Sequence, residues 1–304
     1  MSEKKIYRGE PYESKWIGEN CHCVTLDNGY DLPYTEFGEE NEEVVICCGA
    51  YFHTFNDILK DIATKYHVYG ITMRQQMADE EAGEEVPATE FNEDGSILWT
   101  RQWGVDTWNA IQLLGLDEKP FNFMGKCHGV VPGWWIWRNH PEALSSLVSM
   151  NLVMHVQDRD KDDWDRLQRE QPNEFTLRSM RKKEGFARKA QEVALIGLNV
   201  GRGNKGIDSR KANRQSTNVE WVCDSYDEVR ERLTTNEVPI EYIFSTDDIL
   251  YEDYKTANEW AVFNTARSRS VYLQGERHAS TMDIPHRLAW ECMSFFEWAK
   301  LPDA

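Results

Sequence analysis

Val44-Val45-Ile46-Cys47-Cys48 is apolar at every position and stops at Gly49. A strand with no polar face must be covered on both sides, and the arrangement that does so is a parallel sheet wrapped by helices. The chain repeats this kind of run at His67-Val68-Tyr69-Gly70-Ile71, Phe121-Asn122-Phe123-Met124, Leu147-Val148-Ser149-Met150, Ile240-Glu241-Tyr242-Ile243-Phe244 and Val271-Tyr272-Leu273. Helical stretches lie between them. Phe55 to Ala63 is one, and Val105, Trp108, Ile111 and Leu114 recur at the spacing of a helix face in a second. A third runs to about His140, and a last begins near Pro285, a residue suited to a first helical turn. Strands that alternate with helices predict an α/β fold with a mostly parallel central sheet flanked by helices.

Two stretches interrupt the alternation. Met77 to Gly95 is acidic and lacks periodicity, which predicts a surface loop. From about His155 the strand signal disappears into charged, helix-prone sequence broken by Gly201, Gly203 and Gly206. The expected organisation is a core of residues 1–154 and 237–304, with residues 155–236 inserted as a helical cap or lid.

Charge and thiol usage exclude several classes. A formal net charge of -18 repels phosphate backbones and anionic membrane surfaces, so neither nucleic acid nor a membrane is expected as a partner. Arg178, Arg181, Lys182, Lys183, Arg188 and Lys189 are flanked by acidic residues and read as a solvated helix face. Met-Ser-Glu-Lys-Lys at the start leads into Tyr-Arg-Gly-Glu-Pro with no apolar run, which predicts a cytoplasmic protein without a signal peptide or transmembrane segment. Seven cysteines, with Cys21/Cys23 and Cys47/Cys48 too close for ordinary bridges, argue against a disulfide framework. Cys21-His22-Cys23 has no second pair at ligand spacing, so no metal is expected, and nothing calls for a cofactor.

The segment Phe123-Met124-Gly125-Lys126-Cys127-His128-Gly129 sets a nucleophile between two glycines where a strand gives way to a helix. A sharp turn of this kind presents its central side chain at the strand's end and leaves little room for side chains beside it, which Gly125 and Gly129 satisfy. Covalent catalysis at a thiol needs a base, a carboxylate to orient it and donors for the oxyanion. His278 follows the strand Val271-Tyr272-Leu273 and is the expected base. Asp248 follows the strand at 240–244 and is the expected carboxylate, with Asp247 as the adjacent alternative. The N–H groups of His128 and Ala50 are the expected oxyanion donors. His53, Tyr51 and Trp134 are candidate substrate contacts. Trp134, Trp135 and Trp137 either pack on the sheet or line a pocket, and twelve tryptophans suit an apolar or aromatic small-molecule substrate. The side chains of His128 and His155 are read as structural or solvent-facing.

Across nearly its whole length the chain resembles the α/β-hydrolase superfamily. Gly29-Tyr30-Asp31-Leu32-Pro33-Tyr34 looks like the opening hairpin of that family, and Cys48-Gly49-Ala50 stands in the place of its His-Gly-X oxyanion motif. Gly125 to Gly129 resembles the nucleophile elbow, Asn139-His140-Pro141-Glu142 the common His-Pro-Glu turn, and Asp283-Ile284-Pro285 the segment after the histidine. The chain departs from the pattern in its cysteine in place of serine, in Cys48 in place of histidine, and in Arg74-Gln75-Gln76 where many members carry Arg-Gly and a glycine-rich turn. Dienelactone hydrolases pair cysteine with histidine and aspartate in a similar way, and polyhydroxyalkanoate synthases share the Gly-X-Cys-X-Gly box. The resemblance implies hydrolysis of an ester, lactone or thioester through a Cys127-His278-Asp248 triad. Acyl transfer or cyclisation from the same acyl-cysteine, carbon-carbon bond hydrolysis and cofactor-free oxygenation are the alternatives on this fold. A homo-oligomer is compatible with everything in the sequence.

Overall fold

The computed structural model describes residues 20–49, 55–73, 87–91, 95, 97–151, 222–223, 226–248 and 255–302. The strands are β1 (Cys21–Thr25), β2 (Asp31–Phe37), β3 (Val44–Gly49), β4 (His67–Thr72), β5 (Phe121–Lys126), β6 (Leu144–Met150), β7 (Ile240–Ser245) and β8 (Ser268–Leu273). The helices are α1 (Asn56–Ile62), α2 (Trp99–Leu113), α3 (Val131–Asn139), α4 (Tyr226–Thr235), α5 (Lys255–Asn264), α6 (Ser280–Asp283) and α7 (Pro285–Ala299). Among the described residues all eight strands join one sheet in the order β1-β2-β4-β3-β5-β6-β7-β8. β1 and β2, and β2 and β4, pair antiparallel, and every later pairing is parallel.

Alternation along the parallel strands divides the core in two. Ile46, Phe123, Leu147 and Tyr242 face Trp134 and Trp137 of α3, while Val45, Met124, Val148 and Ile243 face Ile58 and Leu59 of α1 and Leu288 and Phe295 of α7. Successive side chains therefore leave opposite faces of strands that carry no polar face, as an interior sheet requires. The strand order reverses at β3, which lies between β4 and β5. In open α/β sheets the crevice beyond the strand ends at such a reversal is where ligands bind.

Helix α4 falls within residues 155–236, the expected cap, and it packs on the core: Val229 and Leu233 are 1% exposed and belong to the same cluster as Trp137. Glu228 accepts from Nε and NH2 of Arg138 on α3 at 2.8 and 3.1 Å, and Arg232 donates to the Arg138 carbonyl at 2.8 Å. A helix as charged as Tyr-Asp-Glu-Val-Arg-Glu-Arg-Leu reads as solvated, but Val229 and Leu233 at i and i+4 make a narrow apolar stripe that suffices to seat it. Residues 155–221 of the expected cap, and most of the acidic loop before Gly95, lie outside the described residues. No helix among the described residues is long and apolar enough to cross a membrane.

Candidate active site

β5 ends at Lys126 and the chain turns through Cys127 at φ 52° into a single 3-10 turn, Cys127–Val130, that leads into α3. A residue with a Cβ in the left-handed region costs about 1–2 kcal/mol, so neighbouring structure must hold it there. Here the hold is steric. A Cβ on Gly125 would stand 2.3 Å from the Gly129 carbonyl oxygen, and one on Gly129 would stand 2.3 Å from the Cys48 carbonyl oxygen. The turn thus closes on itself and onto the end of β3, at the point of strand-order reversal. Cys127 is half-buried. His128 follows within the 3-10 turn. Ala50, Tyr51 and His53 lie outside the described residues.

The loops after β7 and β8 are laced together by main-chain bonds. Thr246 and Asp247 donate to the carbonyls of Leu273 and Glu276 at 3.1 and 2.9 Å, and Gly275 donates to Thr246 Oγ1 at 2.8 Å. Asp248, 0% exposed, donates its own N–H to Ser245 at 3.1 Å, while Asp247 is exposed. This lacing sets Asp248 Oδ2 at 2.7 Å from His278 Nδ1. A carboxylate only accepts, so Nδ1 carries the hydrogen. The ring also hydrogen-bonds Cys127, which leaves Nε2 as the nitrogen turned to the sulfur. Burial opposes the imidazolium, but the charge and hydrogen bond of Asp248 and the bond to Cys127 outweigh it and raise His278 to about 9.

Of the residues singled out in the sequence, Cys127, Asp248 and His278 therefore come together. Trp134 does not join them. It is 1% exposed and packs against Trp137 at 5.4 Å and Tyr242 at 6.2 Å, so it belongs to the core and offers no surface to a substrate. Its apolar neighbours on α3 give the reason: a helix seated face-on against interior strands buries its tryptophans.

A second set of polar groups beside the three has no counterpart in the sequence reading. Asn151, at the end of β6, accepts from the Ser245 N–H at 2.9 Å and donates to Ser245 Oγ at 3.3 Å. Ser245 Oγ lies 3.2 Å from Ser280 Oγ on α6, and Lys126 Nζ donates to Ser280 Oγ at 3.5 Å. Lys126 is 9% exposed, and burial lowers it to about 8 against the pull of Asp248, Cys127 and Asp283. No sequence signal marks it, because a lysine that ends a strand ordinarily reads as a surface residue. Cys21 and Cys23, the pair considered for metal, are reduced thiols exposed on the edge strand β1. Among the described residues no group of three or more His, Cys, Asp or Glu is placed to hold a metal ion.

No protein-family model matches the chain, and no curated protein matches it in sequence. Solved structures do match in shape. A bacterial membrane phospholipase A described as a virulence factor is 15% identical at a TM-score of 0.64, over 92% of this chain and 86% of its own. The enol-lactonase of Burkholderia xenovorans LB400 is 15% identical at a TM-score of 0.62, over 91% of this chain and 100% of its own. A thermophilic esterase of Thermogutta terrifontis is 13% identical at a TM-score of 0.59, over 92% of this chain and 99% of its own. At these identities the likeness is one of fold.

Proposed function

We propose that this chain, which has the α/β-hydrolase fold, hydrolyses an ester, lactone or thioester of a small molecule through an acyl-enzyme on Cys127. The observation that carries the reading is the pair of bonds made by one ring: His278 to Asp248 at 2.7 Å, and His278 to a thiol held at φ 52°. The similar folds of a lactonase, an esterase and a phospholipase agree with it.

In this scheme Nε2 of His278, whose charged form is favoured, already holds the Cys127 proton, and the thiolate attacks the substrate carbonyl carbon. The oxyanion receives the N–H of His128 and, from the loop after β3, that of Ala50; one such donor contributes on the order of 10²–10³ in rate. As the tetrahedral intermediate collapses, the carbon–oxygen or carbon–sulfur bond breaks and the imidazolium returns its proton to the leaving group. A thioester remains on Cys127. His278 then deprotonates a water, which attacks the thioester, and the sulfur is released as a thiolate beside the imidazolium. Asp248 keeps the ring in the right tautomer and stabilises it while charged. His53 and Tyr51 are the proposed substrate contacts.

Intact-protein mass spectrometry with a panel of activated esters and lactones tests the scheme. Wild type should gain one acyl mass on Cys127, and Cys127→Ala should show neither adduct nor turnover. Turnover by the folded Cys127→Ala protein at the wild-type rate would reject covalent catalysis.

A further inference from the structure

The alternation of β5 sends Phe123 to one side of the sheet and both Met124 and Lys126 to the other, where Met124 packs in the apolar core against α1 and α7. An ammonium on that side is out of place unless charges of opposite sign compensate it, since desolvating an ion costs several kcal/mol. The compensation is partial. Burial holds Lys126 down to about 8, while Asp248 after β7, Cys127 next along the chain and Asp283 on α6 pull it back up with negative charge, and Lys126 in turn lowers His278. The neutral relay Ser280, Ser245 and Asn151 fixes the ammonium to the ends of β7 and β6. Asp283 is 5% exposed and Asp248 0% exposed, so the region buries two carboxylates against one imidazole and one ammonium.

We propose that Lys126 is a positioning residue of this site: its buried ammonium, tethered to Ser280 and set between Asp248, Asp283 and Cys127, fixes the charge at which the Cys127-His278 couple works. The inference rests on the couple described under the proposed function. A cation here favours the thiolate and disfavours the imidazolium, so it lowers both ionisations of the couple together. A cavity or a shifted strand would change rates without moving both ionisations in one direction.

Alkylation of Cys127 by iodoacetamide, followed across pH in the full chain by peptide mass spectrometry, reads both ionisations without a substrate. Lys126→Met should move both upward by about one unit, about tenfold in thiolate on the acid side, and Lys126→Arg should leave both in place. Asp283→Asn, which removes an anion instead, should move both downward, so the inference stays testable if Lys126→Met does not fold. A Lys126→Met/Asp283→Asn protein should return toward wild type. Folded Lys126→Met or Asp283→Asn with unmoved ionisations would overturn this inference alone. A wild-type profile with one ordinary thiol ionisation, unchanged by His278→Ala, would overturn the couple and this inference with it.

Discussion

Strand β7 carries one buried carboxylate near its start, Glu241, and meets another just past its end, Asp248; both are 0% exposed. Glu241 is paired with Arg269 of β8, whose Nε and NH2 reach Oε1 at 2.7 and 2.6 Å. The same guanidinium donates to the Glu291 carbonyl at 3.1 Å and stands over the Phe295 ring at 5.5 Å, both on α7. Burial pushes Glu241 up to about 8 in spite of that cation. The bonds of Arg269 go to β7 and α7, so this pair ties β7, β8 and α7 together. Asp248 has a partner of another kind. The His278 side chain is no more exposed than that of Arg269, 28% against 27%, but its second nitrogen is open to another side chain, the thiol of Cys127. A buried ionisable group with a shifted affinity for protons therefore does not by itself mark a site; the mark is a partner with one side left open.

The largest expected effect comes from breaking the open end. Asp248→Asn keeps the shape but not the charge, and kcat should fall on the order of 10³–10⁴ with the fold retained. The pH dependence of stability should change with it. His278 is raised to about 9 from 6.5, so its contribution is fully present below about 6.5 and is lost as pH rises through about 9. Urea unfolding across that window should show the loss in wild type, and in Asp248→Asn the window should flatten.

Breaking the closed end should give the reverse result. Arg269→Met removes the tie between β7, β8 and α7 and leaves the buried Glu241 carboxyl without its donor, which should destabilise the protein by about 1–3 kcal/mol in urea unfolding while kcat per folded molecule stays unchanged. Were Arg269→Met to lose activity at full stability, the two ends would not differ as described.

The smallest effect sharpens the comparison at the turn itself. Cys127→Gly relieves the left-handed strain that Cys127→Ala keeps. It should be the more stable of the two by about 0.5–1 kcal/mol, after the greater freedom of glycine in the unfolded chain is set against the gain. Paired urea titrations of the two inactive proteins measure the difference.

The six runs read as strands in the sequence are β3 to β8, and they were legible because each carries a short, mostly apolar run. β1 was not read as a strand. Cys21-His22-Cys23 is exposed along an edge and carries no alternation to read. The polar start of β8, Ser268-Arg269-Ser270, was missed because Arg269 gains its place from Glu241, a partner remote in sequence. At the site, Cys127, Asp248 and His278 were legible since each follows a strand and their order along the chain is itself informative. Lys126, Ser280 and Asn151 were not. They are brought together from the ends of β5 and β6 and the start of α6, and none has a local pattern that distinguishes it from a surface residue.

The lacing of the β7 and β8 loops also bears on synthesis. The sulfur at residue 127 emerges from the ribosome well before the strands that carry its carboxylate and its imidazole, so a nascent chain holds an ordinary thiol. Parallel strands distant in sequence pair late in folding. On the proposed mechanism, reactivity is therefore withheld until β7 and β8 have docked, and a chain that stalls short of that point is chemically quiet.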